Sequence, residues 1–241
     1  MRIALVGYGK MGKAIEEIAL QRGHIISAKI DSSNAQDWNN INIENTDVAI
    51  EFSLPQSVFE NIEKCFEKRI PIIVGTTGWY QHMETIKARV IAENHSFLYA
   101  SNFSIGVNLF FKLNQWLSRL MSAYPQYLPS ITETHHIHKL DAPSGTAITL
   151  ANDIIANDAR FSVWKLDSQN PKTELNISAI RVNEVPGTHI VEYTSENDDI
   201  EIKHTARSRK GFAFGAVIAA EWLVGKYGFY SMADVLDVKI S

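Results

Sequence analysis

Short apolar runs alternate with amphipathic stretches through the first hundred residues. Arg2–Val6 is almost continuously apolar, as a strand buried on both faces requires. From Gly12 to Arg22, Ala14, Ile15, Ile18 and Ala19 share one helical face, and Gly23 stands where a helix takes its C-terminal glycine. His24–Ile30 predicts a second strand, Ser32–Asn45 a polar, Asn-rich loop, and Asp47–Phe52 a third strand. Ser53-Leu54-Pro55 offers a cap and an early proline for a helix whose stripe is Val58, Phe59, Ile62, Cys65 and Phe66. Pro71–Val74 predicts a strand, Met83–Glu93 a helix and Phe97–Ala100 another strand. This alternation calls for a parallel, doubly wound sheet.

The pattern changes after about Ser101. Ile105–Ala123 reads as a long helix carrying Val107, Phe110, Phe111, Leu117 and Leu120. Leu128–His135, Leu175–Val182 and His189–Thr194 read as antiparallel strands. Asp199–Thr205 adds a fourth, with Ile200 and Ile202 alternating against charged residues. Phe212–Val224 returns to a helix apolar on most sides, which suggests burial between elements. The expected fold class is α/β: a Rossmann-type parallel-sheet domain, interrupted by an α+β domain with a mixed or antiparallel sheet.

Composition narrows the function. With 45% hydrophobic and 21% charged residues over 241 positions, the chain is ordinary globular protein. A formal net charge of −4 gives no global attraction to nucleic acid or to an anionic membrane, and neither is expected as a partner. The only basic cluster is Arg207-Ser208-Arg209-Lys210. Cys65, the single cysteine, excludes a disulfide framework and lies on a core stripe. The first apolar run ends at Gly7, too short to span a membrane, so a cytoplasmic location is expected.

Gly7-Tyr8-Gly9-Lys10-Met11-Gly12 is Gly-x-Gly-x-x-Gly, after an expected strand and opening an expected helix. Gly7 suits the tight turn, Gly9 lets backbone approach a pyrophosphate, and Gly12 allows close helix–strand packing. The anion meets the free N–H groups and positive end of the helix. Asp31, 19 residues beyond Gly12, stands where a carboxylate accepts from the adenosine ribose. Its charge favours NADH. Ser32, Ser33 and Lys10 offer a 2′-phosphate partners, so the expected cofactor is NADH or NADPH. Gly75-Thr76-Thr77-Gly78 follows a strand end, where parallel sheets place ligands.

Glu133-Thr134-His135-His136-Ile137-His138-Lys139-Leu140-Asp141-Ala142-Pro143-Ser144-Gly145-Thr146-Ala147 is the densest polar stretch. Histidine exchanges protons near neutral pH, and a lysine both attracts a carboxylate and donates a proton. Ser144-Gly145-Thr146 precedes a helix around Ala147–Ile155, so its N–H groups and hydroxyls form a carboxylate cradle. Neighbouring histidines on a strand point to opposite faces, and no metal is expected. From the residues alone, a small-acid dehydrogenase and a nucleotide-sensing Rossmann protein both stay open; the clustered acid–base groups speak against the second.

The same stretch resembles the signature of the dihydrodipicolinate reductase family. The likeness runs along the whole chain, through Gly9-Lys10-Met11-Gly12, Phe52-Ser53-x-Pro55, Gly75-Thr76-Thr77-Gly78, Ala100-Ser101-Asn102-Phe103-Ser104 and His204-x-Ala206-x-Ser208-Arg209. Thr134 and Leu140 depart from the common pattern without touching a chemical group. The resemblance implies an oxidoreductase of lysine and diaminopimelate synthesis, in which a nicotinamide reduces a cyclic imine bearing two carboxylates. It implies that His135 donates and accepts the proton, that Lys139 is a second donor, that His136 binds substrate, and that Gly145 and Thr146 hold a substrate carboxylate. Gly75, Thr76, Thr77, Ala100, Ser101, Asn102 and Phe103 are expected against the nicotinamide half of the cofactor, with Gly7, Tyr8, Gly9, Lys10, Met11, Gly12 and Asp31 on the remainder. Residues 1–103 and 208–241 are expected to form the dinucleotide-binding domain. Residues 104–207 are expected to bind substrate and to assemble a homotetramer.

Overall fold

The computed structural model describes residues 1–237, which fall into two compact units. The first comprises 1–105 with 209–237, and the second 106–208.

The first unit is built on six parallel strands: β1 (Arg2–Val6), β2 (Ile25–Ile30), β3 (Val48–Glu51), β4 (Ile72–Val74), β5 (Ser96–Tyr99) and β11 (Gly228–Tyr230), in the order β11-β5-β4-β3-β1-β2. The central strands β1, β3 and β4 are covered on both faces, which is why they read as largely apolar runs. Ile3, Leu5, Ile50, Ile73 and Leu98 pack with helices α1 (Lys10–Gln21) and α6 (Lys210–Leu223). Ala4, Val6, Ala49, Val74 and Phe97 point the other way, toward α2 (Val58–Glu67) and α3 (Met83–Glu93). Helix α6 is buried along Ala213, Ala216, Val217 and Ala220, as its nearly uniform apolarity requires. Its Gly215 admits the chain after β5: a Cβ there would sit 1.7 Å from the Phe103 carbonyl oxygen.

Three features of this unit differ from expectation. The loop after Asp31 contains a 3-10 turn over Ala35–Asn40 that buries Trp38, with Ile41 behind it. Helix α2 starts at Val58 rather than at Ser53, and the stretch before it is a turn in which Leu54 O accepts from Ser57 N and Val58 N. The Ser53 hydroxyl donates to Glu51 instead of capping a helix. Strand β11 and helix α7 (Met232–Leu236) were not anticipated; three residues beginning at a glycine carry too little periodicity to register. Residues 238–241 lie outside the described residues.

The second unit holds helix α4 (Ile105–Met121, continuing from the first), strand β6 (Leu128–His135), helix α5 (Gly145–Asn157) and strands β7 (Trp164–Leu166), β8 (Leu175–Arg181), β9 (Thr188–Thr194) and β10 (Asp199–Thr205). The sheet order is β10-β9-β6-β8-β7. It is mixed: β9 runs antiparallel to β6 and β10, but β8 runs parallel to β6 and to β7. The antiparallel expectation for Leu175–Val182 is therefore corrected. Residues 136–174, including α5, form a crossover long enough to return the chain in the same direction. One sheet face is apolar at Ile131, Ile177, Val191 and Tyr193, and packs on Phe110, Leu117 and Met121 of α4 and on Leu150, Ala151 and Ile154 of α5. Among the described residues no helix is long and apolar enough to cross a membrane.

Candidate active site

In the first unit the fingerprint residues gather at the C-terminal ends of the strands. Gly7 has φ +91°, and a Cβ on it would lie 2.1 Å from the Phe52 carbonyl oxygen. Gly12 is equally tight, with a Cβ 2.4 Å from Gly7 O. At Gly9 a Cβ would meet nothing within 4 Å, so backbone at the N-terminus of α1 faces open space. That is the opening a pyrophosphate needs. Tyr8 donates its hydroxyl to Glu16, whose carboxylate also pairs with Lys29 at 2.6 Å. Lys10 is exposed on the first turn of α1, while Met11 packs partly on the core.

The other segments converge on Phe52. Gly75 leaves room for its ring, which a Cβ would approach to 2.2 Å, and Phe52 meets Phe103 at 5.6 Å between centroids. Phe103 is a core residue, 2% exposed, and its carbonyl oxygen packs against Gly215. Ala100 is also buried, whereas Ser101 and Thr77 are exposed. Thr76 is buried and its hydroxyl accepts from Ser53 N at 2.8 Å. Beneath them Glu51 is fully buried; burial raises its pKa against the opposing hydrogen bonds of Ser53, Thr76 and Asn61. Asp31 ends β2. Its Oδ1 accepts from Ser33 N at 2.7 Å and Ser33 Oγ at 2.6 Å, which lowers its pKa. The Ser33 hydroxyl is thus engaged by Asp31.

In the second unit the apolar face of the sheet turns polar at one end. The inward positions of β6 run Ile131, Glu133, His135, and β9 places His189 opposite Glu133. Arg181 of β8 stands opposite His135. Glu133 is fully buried. Its Oε2 accepts from Ser144 N at 2.9 Å, and its Oε1 accepts from the Arg181 guanidinium at 2.9 Å. Burial would raise this carboxyl, but hydrogen bonds from His189, Ser144 and Arg181 outweigh it and hold the group well below the carboxylate range. His135 Nδ1 lies 3.8 Å from Glu133 Oε2 and has no hydrogen-bond partner among the described residues. Burial, then the neighbouring His189, push the His135 pKa down to about 4; Lys139 and Arg181 act in the same direction and Glu133 opposes them.

His136 is half-buried with an unpartnered Nδ1. The Lys139 ammonium donates to both oxygens of Asp141 at 2.8 Å, so its immediate neighbour is a carboxylate rather than a second cation. Ser144 caps α5, its Oγ accepting from Ala147 N at 3.2 Å. Helix geometry leaves the N–H groups of Gly145 and Thr146 without intrahelical acceptors. A Cβ on Gly145 would meet nothing within 4 Å. Glu133, His135 and His189 each bring one potential metal ligand within 4.8 Å of the others. The Arg181 cation already neutralises that carboxylate.

Two family models cover this chain: the N-terminal part of dihydrodipicolinate reductase matches residues 1–103, and the C-terminal part matches residues 106–236. The chain belongs to the dihydrodipicolinate reductase family. A 4-hydroxy-tetrahydrodipicolinate reductase of Christiangramia forsetii is 50% identical over 240 residues, covering 98% of each chain. One from Neisseria gonorrhoeae is 34% identical over 231 residues, 92% of this chain and 84% of its own. Among solved structures, a dipicolinate-bound dihydrodipicolinate reductase from Paenisporosarcina sp. TG-14 shares the fold, with TM-score 0.75, 21% identity, and 97% and 98% of the two chains covered.

Sequence reasoning about this dihydrodipicolinate reductase family member passed over Arg181 and His189 and gave Glu133 no role. A signal for Glu133 was present. In a strand that alternates inward and outward, a glutamate two positions before a histidine shares its buried face and must find partners. Arg181 and His189 lie far off in sequence and join only through the sheet register.

Proposed function

We infer that this chain reduces a dihydrodipicolinate-type cyclic imine to tetrahydrodipicolinate in lysine and diaminopimelate synthesis, with NADH or NADPH as reductant. The observation that carries the reading is the polar end of the second unit. There a neutral imidazole and a helix N-terminus with open N–H groups adjoin the buried Glu133–Arg181 pair, and the Lys139 ammonium stands on the adjoining loop beside Asp141. A substrate with two carboxylates needs such donors. The nicotinamide, when bound, supplies hydride. Hydride addition to a conjugated imine leaves negative charge, which a nearby proton donor must quench. Lys139 is the proton source in this reading, and neutral His135 relays the proton. His136, Gly145 and Thr146 hold the carboxylates.

The opening at Gly9 and the charged Asp31 support dinucleotide binding in the first unit. Steady-state turnover of the cyclic imine with NADH and with NADPH, followed by loss of nicotinamide absorbance, tests the reading. Absence of turnover with both would refute it. Asp31→Ala is expected to raise the KM for NADH relative to NADPH by roughly tenfold, the scale of one hydrogen bond to a charged acceptor. Equal KM values before and after the substitution would move Asp31 out of the site.

The reading includes a cytoplasmic homotetramer. The sheet face away from α4 and α5 presents Ser130, Thr132, Thr134, Ser178 and Ile190, partly exposed and suited to a second copy. Sedimentation equilibrium measures the state directly.

A further inference from the structure

We propose that Glu133 is a positioning residue: its carboxylate fixes the first turn of helix α5 and the Lys139 loop together, so that Gly145 and Thr146 present their N–H groups to a substrate carboxylate. This rests on the substrate reading given above, and extends it to a residue that touches no substrate.

Ser144 precedes α5, and both of its polar groups near the sheet are used inward. Its N–H goes to Glu133 Oε2 at 2.9 Å, and its Oγ takes Ala147 N at 3.2 Å while lying 3.1 Å from His189 Nε2. The next two N–H groups, those of Gly145 and Thr146, are the ones left to meet a ligand. Where they point depends on how Ser144 is held.

Glu133 itself has little freedom. It is fully buried between Ile131 and His135 on the inward face of β6. Its second oxygen is pinned by Arg181 at 2.9 Å. The same Arg181 guanidinium nitrogen donates to the Asp141 carbonyl at 2.7 Å. Asp141 in turn receives the Lys139 ammonium. One carboxylate–guanidinium pair therefore ties the cradle at one side and the Lys139 loop at the other. The pair also meets a chemical demand that an amide cannot. Two donors, Ser144 N–H and Arg181, face the two oxygens. Glutamine would present an NH2 group to one of them.

The experiment compares the full-length wild type with Glu133→Gln, Arg181→Gln and the double variant. Imine KM, cofactor KM, kcat, thermal unfolding and hydrogen exchange at Ser144–Ala147 are measured, with calorimetric binding of pyridine-2,6-dicarboxylate as a probe independent of turnover. Glu133→Gln is expected to raise the imine KM and the dicarboxylate Kd about tenfold, the cost of one buried donor left unsatisfied. Cofactor KM stays unchanged, kcat falls by less than the imine KM rises, and Ser144 exchanges faster. Because the two residues act as one unit, the double variant should be no weaker than Glu133→Gln alone.

If Glu133→Gln fails to fold, Arg181→Gln carries the test, with the same direction expected. A folded variant with wild-type KM and Kd overturns the proposal, and so does a fall in kcat at constant KM, which would put Glu133 in proton transfer. Additive losses in the double variant also overturn it. A wild type that neither turns over the imine nor binds the dicarboxylate brings down the functional reading and this proposal together. That outcome is separable from an active wild type with an indifferent Glu133→Gln, which removes the proposal alone.

Discussion

His135→Gln and Lys139→Ala are each expected to lower kcat by roughly 10²–10⁴, the range for losing a positioned proton-transfer group. The two losses have different causes. In the proposed reading Lys139 carries the proton; its ammonium is held 2.8 Å from both oxygens of Asp141. Removing it takes away the donor. His135 is neutral in the free protein above about pH 4, because burial and His189 disfavour its charged form. In the same reading, removing it breaks the relay. The pH dependence separates these roles. kcat/KM reports the ionisation of the free protein. With His135 neutral from pH 5 to 8, no inflection from it is expected in that range. A decline of about tenfold per pH unit there would mean that His135 must bring its own proton. The stability effect has a definite sign. The folded pKa lies below the ordinary histidine value of 6.5, so as pH falls from 6.5 toward 4 the unfolded chain takes up the proton first. The contribution of His135 is complete above 6.5 and is lost as pH falls to about 4. His135→Gln should flatten that part of the acid-unfolding curve. Near-normal turnover in both variants would remove the assignment.

Most of the first unit could be read locally because its central strands are covered on both faces. Ile3–Val6 and Pro71–Val74 are apolar without interruption, so their type and approximate limits are legible in a single window. The 3-10 turn around Trp38 was not, since one buried tryptophan among asparagines has no period. Strand direction in the second unit was equally invisible. Leu175–Arg181 has the alternation of any strand packed on one face, and only the crossover through α5 makes it parallel to β6. The site divides in the same way. The stretch His135–Thr146 is contiguous, so its chemistry could be listed before any fold was known. Arg181 and His189 reach Glu133 through strand register, a relation with no local trace. Nor does composition show that Lys139 meets a carboxylate or that Ser33 is occupied by Asp31; both follow from backbone geometry.

Two glycines of one motif should fail in opposite ways. Gly7 combines φ +91° with a Cβ position 2.1 Å from the Phe52 carbonyl oxygen, which is backbone and cannot swing aside. Gly7→Ala must either flatten that φ or push β3 away from β1, and both cost energy before any ligand arrives. A loss of about 3 kcal/mol is expected from strain and overpacking together. For a chain of this size that lowers Tm by about 6–12 °C. Gly9 differs. A Cβ there meets nothing within 4 Å, and its φ of −81° suits any residue. Gly9→Ala should keep the wild-type Tm and still raise the cofactor KM about tenfold, because its methyl group occupies the space through which a pyrophosphate approaches the helix N-terminus. Thermal unfolding without ligand and cofactor KM, measured on both variants, separate the fold-forming role from the binding role. A Gly9→Ala protein with unchanged KM would place the phosphates away from this loop, and an undisturbed Tm in Gly7→Ala would mean that β1 and β3 can part at little cost.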